Sequence, residues 1–211
     1  AIFHDESTAH RPSVFQFLNL NSDLDAPDYK LVIEKGVLAI KQQLEEKTRS
    51  LGSAVSRSGM DEVNACRAAI YACDALMQLA QNLATSAEKL AATETNAYRK
   101  AELSESAAIL HHIPARPARS FKEACQAFYL FQLALQLDNG SYAVNPEGAD
   151  KALLAYYQHD IANGLLTEAQ AYEIVECLWF KLAELSEVRA ACTIDGYPMF
   201  DALLHGASLE N

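Results

Sequence analysis

Cysteine is sparse and poorly placed for cross-linking. The five residues, Cys66, Cys73, Cys125, Cys177 and Cys192, are odd in number and form no C-x-x-C pair. A disulfide framework and a zinc site are both disfavoured, and a reducing, cytoplasmic location is expected. Basic residues are also in deficit, with 17 Lys and Arg against 28 Asp and Glu. A net charge of −11 makes nucleic acid a poor partner for the chain. No apolar run approaches the roughly 18 residues of a membrane span. The first residues, AIFHDESTAHRPSV, have neither the basic nor the apolar region of a secretory signal. G-x-S-x-G, P-loop, H-E-x-x-H and G-x-G-x-x-G motifs are missing too, which removes the commonest hydrolase, nucleotide and zinc-protease chemistries.

What remains is a chain of 211 residues with 50% hydrophobic content, enough for one packed core, and a single domain over 1–211 is expected. Helical periodicity runs almost throughout. Residues 28–51 read as one helix carrying Leu31, Ile33, Val37, Ile40 and Leu44, with Gly36 in its middle allowing a close helix contact. The Ser-rich stretch Gly52 to Gly59 is a connector. A long helix follows over 60–91, with Cys66 and Cys73 as small core residues on one face. The next, over 93–111, pairs Arg99 with Glu102 on its surface. His111 and His112 close it. They are either a base or metal pair, or imidazoles set against the negative end of the helix dipole.

The P-A-R-P stretch 114–117 stops that run. Ser120 and Glu123 then form a capping box for a helix over 120–137, apolar nearly all round and so expected at the buried centre. Asp138-Asn139-Gly140-Ser141 is turn chemistry. A helix over 151–161 ends at Asn163-Gly164, and Thr167 with Gln170 opens a last helix over 167–189. Trp179 on that helix is expected in the core against Phe128 or Phe131, and Cys177 on a buried face. Short strands are expected near 141–146 and 190–197. The fold is therefore mainly α, of long packed helices with short strand segments.

Several of these pieces, in this order, resemble the glycyl-radical enzymes of the pyruvate formate-lyase type. PARSFKEACQAF at 117–128, LALQLDNG, SYAVNPEGA, DKALLAYYQHD and GLLTEAQAYEIVECLWFKLAE follow the family's succession, and Gly196-Tyr197-Pro198 matches a later segment. The resemblance implies part of an α/β barrel scaffold. It implies a lyase, dehydratase or formate C-acetyltransferase-like reaction on a small polar metabolite, begun by radical C–H abstraction. The radical is a backbone glycyl radical, installed by an iron–sulfur, S-adenosylmethionine-dependent activating enzyme and relayed through a cysteine loop. Neither the glycine nor the cysteine loop occurs in this chain, so it is expected to bind no cofactor and to supply walls rather than reacting groups. Expected partners are a small-molecule substrate, the remainder of the enzyme chain and the activating enzyme, and a homodimer is allowed. The alternative is a helical interaction module that kept the scaffold without the reaction.

By the same resemblance, the segment 139–150 lines the substrate pocket. Ser141, Tyr142, Asn145 and Asp150 are its candidate binding residues, joined by Asp23 or Asp25 from a loop near the chain start. The family's Arg has no counterpart here, since Glu147-Gly148-Ala149 stands in its place. Read without the family, Asp23, Asp25 and Asp28 are turn and cap residues, and Asp150 is a helix N-cap.

Overall fold

The computed structural model describes residues 27–52, 57–139 and 148–192. Among the described residues the regular elements are seven α-helices, with no strand. They are α1 (Tyr29–Lys35), α2 (Val37–Leu51), α3 (Arg57–Thr93), α4 (Ala97–His112), α5 (Phe121–Asn139), α6 (Ala149–Ala162) and α7 (Glu168–Cys192). The strand expected near 141–146 lies outside the described residues, as do 193–197. Residues 190–192 are helical, because α7 runs on to Cys192.

The chain divides into two compact units. One is 28–131 with 148–167. Its core gathers Tyr29, Ile33, Ile113, Phe128 and Leu130, all nearly inaccessible to solvent. The Tyr29 ring lies 4.6 Å from Phe128 and meets Phe131 edge-on at 5.7 Å. That burial pushes the Tyr29 phenol up to about 12. Along α3 the buried residues include Ala80, Ala84, Ala87 and Ala91. This small-residue stripe lets α3 approach α4 closely. Lys41–Asp74 at 2.6 Å and Lys47–Glu62 at 2.7 Å tie α2 to α3 at the surface. Arg99 and Glu102 form the expected exposed pair at 3.0 Å.

The helix expected over 28–51 is broken in two at Gly36. Its φ of 75° and ψ of 151° are not helical. A Cβ there would lie 2.6–2.7 Å from the backbone of Ala115 and Arg116, so only glycine fits. The close contact anticipated at Gly36 is therefore with a loop. Around it the Val37 and Leu38 N–H groups donate to the Pro114 and Ala115 carbonyls at 2.8 and 3.0 Å. The Ala118 N–H donates to the Ile33 carbonyl at 3.0 Å. Donors at the start of α2 and a carbonyl at the end of α1, left over by the helices, are thus satisfied by the segment 114–118.

The second unit contains, among the described residues, Pro27, 132–139 and 168–192. Ala171 and Leu185 of α7 are buried. Trp179 is not: it is 62% exposed, against the expectation from its apolar neighbours. The reason is angular. Trp179 stands about 80° round the helix from Ala171, outside the arc that α7 buries. Cys177 is exposed as well; among the described cysteines, Cys66 and Cys125 are the buried ones.

Candidate functional site

The segment that the sequence marks as a pocket wall lies, in sequence, between α5 and α6. Helix α5 ends at Asn139 and α6 begins after Gly148, which takes the left-handed conformation at φ 75°, ψ 4°. Asp23, Asp25, Ser141, Tyr142, Asn145 and Glu147 lie outside the described residues. Asp150 is described. It is exposed in the first turn of α6, where a carboxylate suits the positive end of the helix dipole. It is not the N-cap; Gly148 occupies that position and offers no side chain.

The N-terminus of α5 is held by several side chains. Asp160, buried near the end of α6, accepts the Phe121 N–H at 2.8 Å. Ser120 Oγ accepts the Glu123 N–H at 3.2 Å, one half of the anticipated capping box. The other half is displaced by one residue, since buried Glu123 accepts the backbone N–H of Arg119, at 2.8 Å, rather than that of Ser120. The Arg119 guanidinium completes the pair, with Nε at 3.1 Å from both carboxylate oxygens. Burial would raise the Glu123 pKa. The Arg119 side-chain and backbone hydrogen bonds, its charge and that of His112 outweigh this and hold the carboxyl below its ordinary range. His159 Nδ1 lies 3.0 Å from Asp160 Oδ1. In sequence, His159 and Asp160 simply fall near the end of the helix expected over 151–161. The carboxylate's task, 39 residues from its partner, leaves no local signal.

Neither histidine at the end of α4 is placed as a free base. His111 Nδ1 lies 2.9 Å from Gln81 Oε1 and Nε2 lies 2.7 Å from Glu88 Oε1, so the ring bridges α4 to α3. His112 Nε2 donates to the Pro117 carbonyl at 2.8 Å. An open groove of about 400 Å³ lies beside His111, floored by alanines and edged by Glu88, Lys100 and Ser104. Among the described residues no cluster of His, Cys, Asp and Glu could hold a metal ion. Burial pushes the Cys125 thiol up to about 12, so it is no nucleophile. Among the described residues no helix is long and apolar enough to cross a membrane.

The model of one protein family, pyruvate formate lyase-like, matches residues 25–207. The chain belongs to that family. Isethionate sulfite-lyase of Bilophila wadsworthia is 32% identical over 184 residues, which cover 85% of this chain and 22% of that protein. Two solved structures superpose with a TM-score of 0.69, each covering 74% of this chain and 20% of the other. One is the glycerol-bound B12-independent glycerol dehydratase from Clostridium butyricum, 26% identical. The other is a glycyl radical enzyme from Archaeoglobus fulgidus, 27% identical. The chain spans about a fifth of the length of the curated relatives it matches. The matched residues include the succession from PARSFKEACQAF to GLLTEAQAYEIVECLWFKLAE.

Proposed function

We propose that this chain is the scaffold and one pocket wall of a cytoplasmic glycyl-radical lyase or dehydratase. The supporting observation is the family match over 25–207, with similarity to a sulfite-lyase and a glycerol dehydratase. The glycyl radical, installed by an iron–sulfur, S-adenosylmethionine-dependent enzyme, would supply hydrogen abstraction through a cysteine in the rest of the polypeptide. The 211 residues would act as one domain of that body. Their own work would be to hold and orient the substrate and to keep water out.

The wall would comprise the 140–147 loop, with Ser141, Tyr142 and Asn145, together with Asp150 and the Asp23–Asp25 loop. Tyr142 and Asn145 bring hydrogen-bonding groups of both senses. Asp23, Asp25, Glu147 and Asp150 make the wall acidic. An acidic wall favours hydroxyl or ammonium groups over anions, so the substrate class is a small polyol or amine rather than a carboxylate or sulfonate.

The full-length protein, activated anaerobically, should give a glycyl doublet by electron paramagnetic resonance and consume glycerol or 1,2-propanediol. Tyr142→Phe and Asp25→Asn should impair turnover without shifting the unfolding midpoint. Absence of the doublet would overturn the enzyme reading. Turnover of isethionate with no reaction of polyols would overturn the substrate class alone.

A further inference from the structure

Between Ala171 and Leu185, α7 carries an apolar stripe wider than the part of it that is covered. At about 100° per residue, the covered side runs from Ile174 through Leu185, Leu178 and Ala171 to Val175, an arc of about 100°. Ala171 and Leu185 are buried there, and Leu178, Leu182 and Val175 are half-buried. Such an arc is what a helix on the surface of a globular body normally buries. The stripe does not end at Val175. Trp179 and Tyr172, two turns apart on one line, extend it by about another 60°. They are 62% and 67% exposed. Beyond them come Glu176, then Phe180 at 72% exposure between Glu173 and Glu184. Aromatic side chains of this size, aligned on one face and rimmed by charge, mark a packing surface rather than scattered exposure.

We infer that the Tyr172–Trp179 seam of α7 is an intramolecular docking surface for polypeptide of the same protein outside residues 1–211. That polypeptide would present an apolar ridge bordered by Lys or Arg. The occupant follows from two observations. The chain matches only about a fifth of the length of its curated relatives, so a large body of protein in the same molecule is available to cover the seam. The charged margin facing solvent on this side is acidic, with Glu173, Glu176 and Glu184 against Lys181, which itself is paired with Glu184 at 2.7 Å. A basic rim complements it. The inference rests on the proposed reading that the chain is part of a longer enzyme, and extends it by naming which surface the remainder covers.

Hydroxyl-radical footprinting of the purified full-length protein, read peptide by peptide by mass spectrometry, tests this. Tyr172, Trp179 and Phe180 should be modified many-fold more slowly than in the denatured protein, and the protection should persist on dilution to a monomer. Trp179→Glu in the full-length protein should restore modification at Tyr172 while leaving the Tyr29 peptide protected. Modification of all three aromatics at near-denatured rates would overturn the inference. So would protection lost on dilution, which would assign the seam to a second copy of the protein. Footprinting does not depend on a glycyl radical, so an unactivatable protein with a protected seam would refute the catalytic reading while leaving this one intact.

Discussion

The carboxylate of Asp160, near the end of α6, holds the backbone N–H of Phe121 at the first turn of α5, 2.8 Å away and 39 residues distant in sequence. A buried, charged acceptor on a helix N-terminal donor is worth more than an ordinary hydrogen bond. Asp160→Ala should lower stability by about 1.5–3 kcal/mol. Asp160→Asn, which keeps an acceptor, should lose less. Chemical denaturation of both variants checks the order, and equal midpoints for wild type and Asp160→Ala would refute it.

Gly36→Ala should be far more damaging than Gly148→Ala. Both glycines have positive φ, but only at Gly36 would the new Cβ meet backbone, at 2.6–2.7 Å; nothing lies within 4 Å at Gly148. The left-handed conformation alone costs about 1–2 kcal/mol, and the loss at Gly36 should exceed it. The readout is the difference between the two unfolding midpoints.

Acid should weaken the Arg119–Glu123 pair. The folded pKa of Glu123 lies below its ordinary value of 4.5, so the unfolded chain takes up the proton first as pH falls. The stabilisation is therefore complete above that ordinary value and is lost as pH drops through the folded one. Glu123→Gln should be less stable than wild type at pH 7, and the gap should narrow below pH 4.5. Urea titrations across that window measure it.

Thiol labelling should separate the cysteines. Cys125, with its thiol pushed up to about 12 by burial, and Cys66, also buried, should resist iodoacetamide in the native protein and react only on unfolding. Mass spectrometry of the labelled peptides gives the answer. Native-state labelling of Cys125 would contradict its placement in the core.

Much of the helical pattern was legible because the chain punctuates it locally. Ser120 with Glu123, Asn163-Gly164 and the P-A-R-P stop each act within one turn, and the helices begin or end beside them. Where a cause is distant, local reading failed. Gly36 reads as a tolerated mid-helix glycine until the backbone of Ala115 and Arg116 is set against it. Trp179 reads as core because periodicity reports which face is apolar, and not how much of that face finds a neighbour. Asp160 gives no sign of its role, since a cap contributed from another helix has no spacing rule. For the candidate site, Asp150 does stand at the start of α6, but as its second residue, two positions past the Gly148 cap. The remaining candidates depend on which loops approach one another, a relation that periodicity does not encode.

The stitching of Ile33, Val37 and Leu38 to residues 114–118 also constrains the order in which the molecule can be completed during synthesis. On a growing chain, α1 and α2 emerge first, yet their shared corner has no partner until Ala118 has left the ribosome. Until then the donors at the start of α2 must be served by water. The earliest part of the described fold to be translated is thus among the last to be locked, and α3 and α4 must form and turn back before the corner between α1 and α2 can close.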